Sequence, residues 1–459
     1  MTSFDEQFAP YAHRMRAAGL PELVINSFAH YYGQLVAGET GLITEASVEP
    51  LSSLPDAETL GVEFIDAAHD VLEKTVLVKL NGGLGTSMGL DAPKSLLAVK
   101  DGLSFLEISV RQSLDLRTPM IVMNSFATNA DTLAALAKYQ YAPPGIPVAF
   151  QQHKVPKVAA SDLRPADWPE DRRLEWCPPG HGDIYAALIT SGTLARLLRA
   201  GYEYAFISNI DNLGAVLDEA LLGYFHSRGY SFMLEAADRT EADRKGGHLA
   251  RRHDGQLVLR EIAQCPREEL GFFQDTKRHR YFNTNNIWLR LRSLEALIAT
   301  AGPFLRLPLI RNLKRIDPQR RDSPEVYQLE TALGSAIQLF EGAAAIRVSR
   351  DRLAPVKTTE DLLRIRSDAY CLTEGYRVVP NPKRTLGALV INLDPTHYGL
   401  LGDFEARFPR GVPSLIECER LDVRGDVRFG QNVRLRGKVE LVNESVEQLG
   451  IEDDAVISG

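Results

Sequence analysis

In the first 70 residues, apolar positions recur at helical spacing. Leu20, Leu23, Val24, Phe28, Tyr31, Tyr32 and Leu35 share one face, and Pro21 suits a first turn. Gly38 to Gly41 and Pro50 to Pro55 then interrupt the pattern. The spacing predicts a helical layer that packs on a core.

From about residue 71 the rhythm changes. Short apolar runs at 75–80, 120–124, 148–152, 204–210, 232–236 and 286–291 alternate with amphipathic stretches at 104–116, 128–139, 182–199 and 213–227. Continuous apolar strands separated by helices predict an α/β domain with a mainly parallel, mixed sheet covered on both faces. In such Rossmann-like sheets ligands bind beyond the carboxyl ends of the strands, at the switch point. Chemistry is expected in the loops that follow those strands.

The tail has a third pattern. Leu421 and Val423, Val427 and Phe429, Val433 and Leu435, then Val439 and Leu441 repeat with a period of six, with Gly425, Gly430 and Gly437 at the turns. A hexapeptide period is the mark of a parallel β-helix, here expected to be left-handed. Two antiparallel hairpins fit the same alternation. The predicted organisation is therefore a helical segment at 1–70, a central nucleotide- and sugar-binding domain at 71–380 and a β-helical domain at 381–459. The tail carries no candidate chemistry, and its stacking surface suits homo-oligomerisation.

The 459 residues are 44% hydrophobic, enough for several cores. Lys and Arg number 52 against 60 Asp and Glu, for a net charge of -8. An acidic balance disfavours nucleic acid and anionic membranes, so an anionic ligand needs a local cationic site. No run approaches the ~20 apolar residues of a membrane span. The four cysteines are scattered, which argues against a zinc module or a disulfide framework and for a reducing, cytoplasmic location.

The loop LNGGLGTSMGLDAPKS at 80–95 concentrates the chemistry. Its glycines let backbone N–H groups approach a nucleotide, and Lys94 at its far end offers a point charge to phosphate. The spacing is not the dinucleotide fingerprint, and Pro93 stands where a Walker A loop needs Gly. Residues 85–89 match the G-x-S-x-G nucleophile elbow of hydrolases around Ser87, but that elbow needs a strand running into the Ser and a helix leaving it. Asp211 follows a strand, where it suits either Mg²⁺ with phosphate oxygens or the N-cap of the next helix. His181 lies between Gly180 and Gly182 at a helix start, as a phosphate donor or a structural imidazole. Lys357 precedes a helix start at Thr358-Thr359-Glu360.

LNGGLGTSMG with PKS resembles the signature of the eukaryotic-type UTP–glucose-1-phosphate uridylyltransferases, the UDP-glucose pyrophosphorylases. FQQHKVPK, WCPPGHGDIYAAL, FISNIDNLGA, DRKGGHL, EIAQ, FNTNNIW, LETALGSAIQLFE and PVKTTEDLL follow in family order, so the likeness covers about residues 80–365. It implies an Mg²⁺-dependent enzyme forming UDP-glucose and pyrophosphate from UTP and glucose 1-phosphate. It also implies roles: Leu80, Asn81, Gly82, Gly83, Lys94, Gln152, Gly180 and Lys357 for the nucleotide, with Gln152 reading uracil. His181, Asn209, Ile210, Asp211, Glu261 and Asn285 would serve the sugar phosphate, Asp211 would hold the metal, and Lys94, Lys357 and Asp211 would be catalytic. The alternatives are a pyrophosphorylase for another UDP-sugar or N-acetylhexosamine, the hydrolase at Ser87, and a non-catalytic scaffold.

Two departures stand out. Residues 311–328 are unusually basic and read as a solvated charged loop. Ser87 also stands where bacterial-type sugar nucleotidyltransferases carry Arg, which leaves one fewer cation for the triphosphate.

Overall fold

The central apolar runs pair into one sheet. A computed structural model describes residues 3–139, 141–302 and 304–459, with the side chains of Ser87 and Ala301 outside that description. The core strands are β1 (Thr75–Asn81), β2 (Met120–Asn124), β3 (Ala149–Gln151), β4 (Tyr204–Asn209), β5 (Phe232–Asp238), β6 (Tyr281–Arg290) and β7 (Ala343–Val348). Their order is β3-β2-β1-β4-β6-β5-β7, with β6 antiparallel to both neighbours and the other pairings parallel. These seven form the mixed, mainly parallel centre of a ten-stranded sheet, whose other strands, Val48–Pro50, His248–Arg252 and Leu257–Arg260, add antiparallel pairings. Strand order reverses between β1 and β4, which places the switch point, and the expected ligand crevice, at the loops after Asn81 and Asn209.

Both faces of these strands are buried, which is why they read as unbroken apolar runs. Leu77, Phe206, Met120 and Trp288 join one core, while Val76, Val78, Ile121 and Ile207 join the other. The helix Val62–His69 packs on the helix Glu219–Ser227, so closely that a Cβ on Gly223 would collide with the Phe64 carbonyl. The last part of the N-terminal segment therefore packs with the central layer. The helices Phe4–Ala17 and Glu22–Val36 form a separate core of Tyr11, Met15, Phe28 and Tyr32 against Val155, Val158 and Leu329.

The tail pairs in parallel, which excludes the two hairpins. Leu421 pairs with Val439, three hexapeptide periods on, and Val427 pairs with Leu449. The predicted inward residues Leu421, Val423, Val427, Phe429, Val433, Leu435 and Val439 are buried, and their core is continuous with that of the sheet through Leu393, Phe404 and Ile346.

Three local expectations needed correction. The stretch 213–227 is helical only over Glu219–Ser227, because Asp218 caps it and residues 211–217 turn beneath another segment. The stretch 182–199 is two helices, Ile184–Thr190 and Thr193–Arg199, divided at Gly192 in the left-handed region. The basic segment is a hairpin, Ile310–Arg315 against Glu325–Glu330, in which Lys314 and Arg315 face Glu330 and Glu325. Its charges are largely neutralised locally, as expected of a solvated face.

Candidate active site

β1 and β4 run side by side to the switch point and deliver its two charged groups. The Ile210 N–H donates to the Leu80 carbonyl (3.0 Å), fixing the end of β4 beside the glycine loop. The Lys94 N–H donates to the Gly83 carbonyl (3.2 Å), which closes that loop and returns its lysine to the strand ends. Lys94 Nζ then sits 2.6 Å from Asp211 Oδ2. The cap of the following helix is Asp218, whose Oδ1 accepts the Leu221 N–H (3.0 Å). Asp211 therefore has no capping work to do, and the N-cap alternative fails.

β3 contributes the next group. Gln152 is buried rather than displayed on an edge, with its N–H bonded to the Asn124 carbonyl (2.7 Å) and its Nε2 donating to the Gly180 carbonyl (2.8 Å). Its Oε1 and second amide N–H have no hydrogen-bond partner among the described residues. Gly180 has φ of +81°, and a Cβ there would collide with the Thr331 carbonyl, so the loop accepts only glycine.

His181 is fixed by the same loop. Its Nδ1 accepts the Leu333 N–H (2.7 Å), which places the ring proton on Nε2. Desolvation pushes this imidazole down to about 4. It is a neutral donor, so what it offers at Nε2 is a dipole and not a positive charge. Asp183, two residues on, accepts the His153 N–H (2.8 Å) and bonds the His153 ring at Nδ1 (3.0 Å). This latch ties the Gln152 strand to the His181 loop, and the sequence reading missed both residues because they meet only in the fold.

On the far side of His181, Glu261 and Asn285 converge from different strands. Asn285 has φ of +58°, and its Oδ1 accepts from Asn283 Nδ2 (2.9 Å). Desolvation pushes the Glu261 carboxyl above the usual carboxylate range, against a hydrogen bond from Asn283 and the charge of Lys357. Asn283, which bonds both Glu261 and Asn285, is a cavity residue that the sequence analysis did not single out. Lys357 is exposed at the mouth, and the helix Thr359–Arg366 follows it, capped by Thr358 in a Thr358–Asp361 capping box, as the sequence suggested.

These side chains line two adjoining cavities. The first, of about 280 Å³, holds Leu80, Asn81, Gly82, Gly83, Lys94, Gln152, Asn209, Ile210 and Asp211. The second, of about 340 Å³, holds Glu261, Asn283, Asn285, Asn312 and Lys357. Gly180 and His181 form the wall common to both. The fold therefore brings every predicted site residue to one place, although Asn209, expected beside Asn285, opens on the first cavity. No group of three His, Cys, Asp or Glu suited to a metal occurs among the described residues. Asp211 is a lone carboxylate, which fits a Mg²⁺ that keeps most of its shell as phosphate oxygens and water.

The context required for a nucleophile elbow is missing. β1 ends at Asn81, and Thr86–Met88 is a single 3₁₀ turn between two left-handed glycines. The Ser87 side chain itself lies outside the described residues.

The chain is similar to proteins of one enzyme family. A family model described as UTP–glucose-1-phosphate uridylyltransferase matches residues 25–436. A UTP–glucose-1-phosphate uridylyltransferase from Solanum tuberosum is 39% identical over 466 residues, covering 96% of this chain and 93% of its own. A probable enzyme of that name from Schizosaccharomyces pombe is 38% identical over 397 residues, covering 85% and 77%. A UDP-glucose pyrophosphorylase mutant from Leishmania major, solved in complex with UDP-glucose, superposes with a TM-score of 0.90 at 42% identity, covering 98% of each chain. With a match that runs through the glycine loop, the switch point and the tail, the chain belongs to the UTP–glucose-1-phosphate uridylyltransferase family.

Proposed function

We propose that this chain forms UDP-glucose and pyrophosphate from UTP and α-D-glucose 1-phosphate. The observation that carries the reading is the shared wall of Gly180 and His181 between a cavity built for a nucleotide and one lined with hydroxyl-binding groups. A phosphate held at that wall touches both substrates. A phosphate oxygen of the sugar bonds to the α-phosphorus of UTP as the bond from that phosphorus to the β-phosphate oxygen breaks. Pyrophosphate leaves with the electron pair.

Such a displacement asks for positioning and charge neutralisation rather than covalent work. Gln152 orients the base, the N–H groups around Gly82 and Gly83 face the phosphates, and Lys94 and Lys357 offset their charge. His181 donates from Nε2 to the sugar phosphate, while Glu261 and Asn285, joined by Asn283, take sugar hydroxyls. A site built from hydroxyl partners rejects analogues that leave those groups unpaired. Mg²⁺ would be held by Asp211, and when bound it would further neutralise the phosphates.

The coarser organisation follows the same reading. The 1–70, 71–380 and 381–459 boundaries serve as functional modules, and the tail coils as a left-handed β-helix, supported by its six-residue period. Exposed Val442, Leu449 and Val456 on the last coils support homo-oligomerisation through that module. Four unpaired thiols suit the cytoplasm.

The test is pyrophosphate release from UTP with a panel of sugar 1-phosphates, with and without Mg²⁺. Glucose 1-phosphate should be the preferred acceptor and Mg²⁺ required. Turnover with N-acetylhexosamine 1-phosphates in its place would overturn the substrate assignment.

A further inference from the structure

The Asp211 turn, the Asn285 strand and the Lys357 segment are far apart in sequence, yet one buried side chain joins them. Asn212 is 4% exposed and lines neither cavity. Its Oδ1 accepts the N–H groups of Gly214 (3.2 Å) and Ala354 (2.9 Å). Its Nδ2 donates to the Arg352 carbonyl (3.1 Å) and to Asn286 Oδ1 (3.3 Å). All four hydrogen-bonding positions of the amide are in use.

The surroundings make this joint rigid. The Val356 N–H donates to the Asp211 carbonyl and the Leu213 N–H to the Ala354 carbonyl, each at 3.3 Å. Gly214 passes so close to Asp351 and Arg352 that a Cβ would collide with their backbone. Behind the joint, Arg352 is bidentate to the fully buried Glu235 (2.7 Å twice), which also accepts from Asn286 (2.9 Å). Only Pro355, with its fixed φ, and the buried Val356 separate Ala354 from Lys357. Asp211 is the residue before Asn212.

We infer that Asn212 is a positioning residue: it sets Lys357 opposite Asp211, and so governs turnover more than nucleotide affinity. The inference rests on the proposed uridylyl transfer. A shift of about 1 Å in a catalytic group costs up to ~10²-fold in rate, whereas a distant binding contact is untouched.

The test combines kinetics with amide exchange on the full chain, using Asn212→Ala, Lys357→Ala and the double variant. Asn212→Ala should lower kcat by about 10- to 100-fold with the KM for UTP within about threefold. In the Lys357→Ala background it should cost less than about threefold, because the group it positions is gone. Exchange at the Ala354 and Val356 amides should accelerate while that at 75–81 is unchanged. Near-normal kcat in Asn212→Ala, full multiplicativity in the double variant, or unchanged exchange at Ala354 and Val356 would each overturn the inference. If Asn212→Ala does not fold, Asn212→Ser, which keeps a hydroxyl at the joint, carries the same comparisons. A wild-type chain that makes no UDP-glucose counts against the proposed reaction instead, and the exchange data still decide whether Asn212 holds the segment.

Discussion

Lys94 Nζ lies 2.6 Å from Asp211 Oδ2, so the cation from the glycine loop and the carboxylate from the end of β4 are paired across the switch point. In the proposed reaction this pair would preset the spacing of two groups with opposite partners, phosphate for Lys94 and a metal for Asp211.

Asp211→Asn keeps the shape and removes the charge. It should lower kcat by about 10²- to 10³-fold, the range seen when one preorganised electrostatic group is lost. Steady-state rates across a Mg²⁺ titration check this, and the variant should need more metal to reach half its maximal rate. Unchanged rates would remove Asp211 from the mechanism.

Lys357 is exposed at the mouth of the sugar cavity, so its removal leaves no buried hole. Lys357→Ala should lose at least about 10²-fold in kcat while uridine binding and the thermal midpoint persist. Turnover and calorimetric binding on one preparation separate the two effects.

Gly180 combines a φ of +81° with contact against the Thr331 backbone. Gly180→Ala should cost about 2 kcal/mol or more of stability through backbone strain and displacement of the loop. It should also abolish activity, since Gln152 and His181 both depend on that loop. Thermal unfolding and a turnover assay read the two consequences.

His181 supplies a pH test. Its folded value is about 4 against an ordinary 6.5, so between those values the unfolded chain binds the extra proton. This contribution to stability is complete above pH 6.5 and is lost as the pH falls toward 4. At pH 5 the loss is about 2 kcal/mol. His181→Asn should therefore show a shallower fall in stability between pH 7 and 5 than the parent chain, as denaturant titrations at both values would reveal.

Much of this was legible in the sequence because strands buried on both faces leave unbroken apolar runs, and β1 to β4 fall where those runs stand. Glycine loops after strands likewise marked the ligand crevice. What escaped was set by tertiary contact. Ala343–Val348 is alanine-rich and reads weakly as a strand, but β5 pairs with it in full register. The turn at 211–217 has helical periodicity, yet Gly214 and Asn212 are committed to the Lys357 segment. Asn283 carried no local signal, because Glu261 reaches it only once β6 is placed. The neutral state of His181 could not be read from the sequence, because burial and the Leu333 N–H have no local signature.

The account rests on attack at the α-phosphorus of UTP by the sugar phosphate, and oxygen tracing reads that step directly. UTP labelled with ¹⁸O in the bridge between the α- and β-phosphorus is incubated with glucose 1-phosphate, Mg²⁺ and the full chain, and both products are analysed by mass. The account predicts UDP-glucose without label and pyrophosphate carrying all of it. Label retained in UDP-glucose, or no UDP-glucose at all, would contradict it.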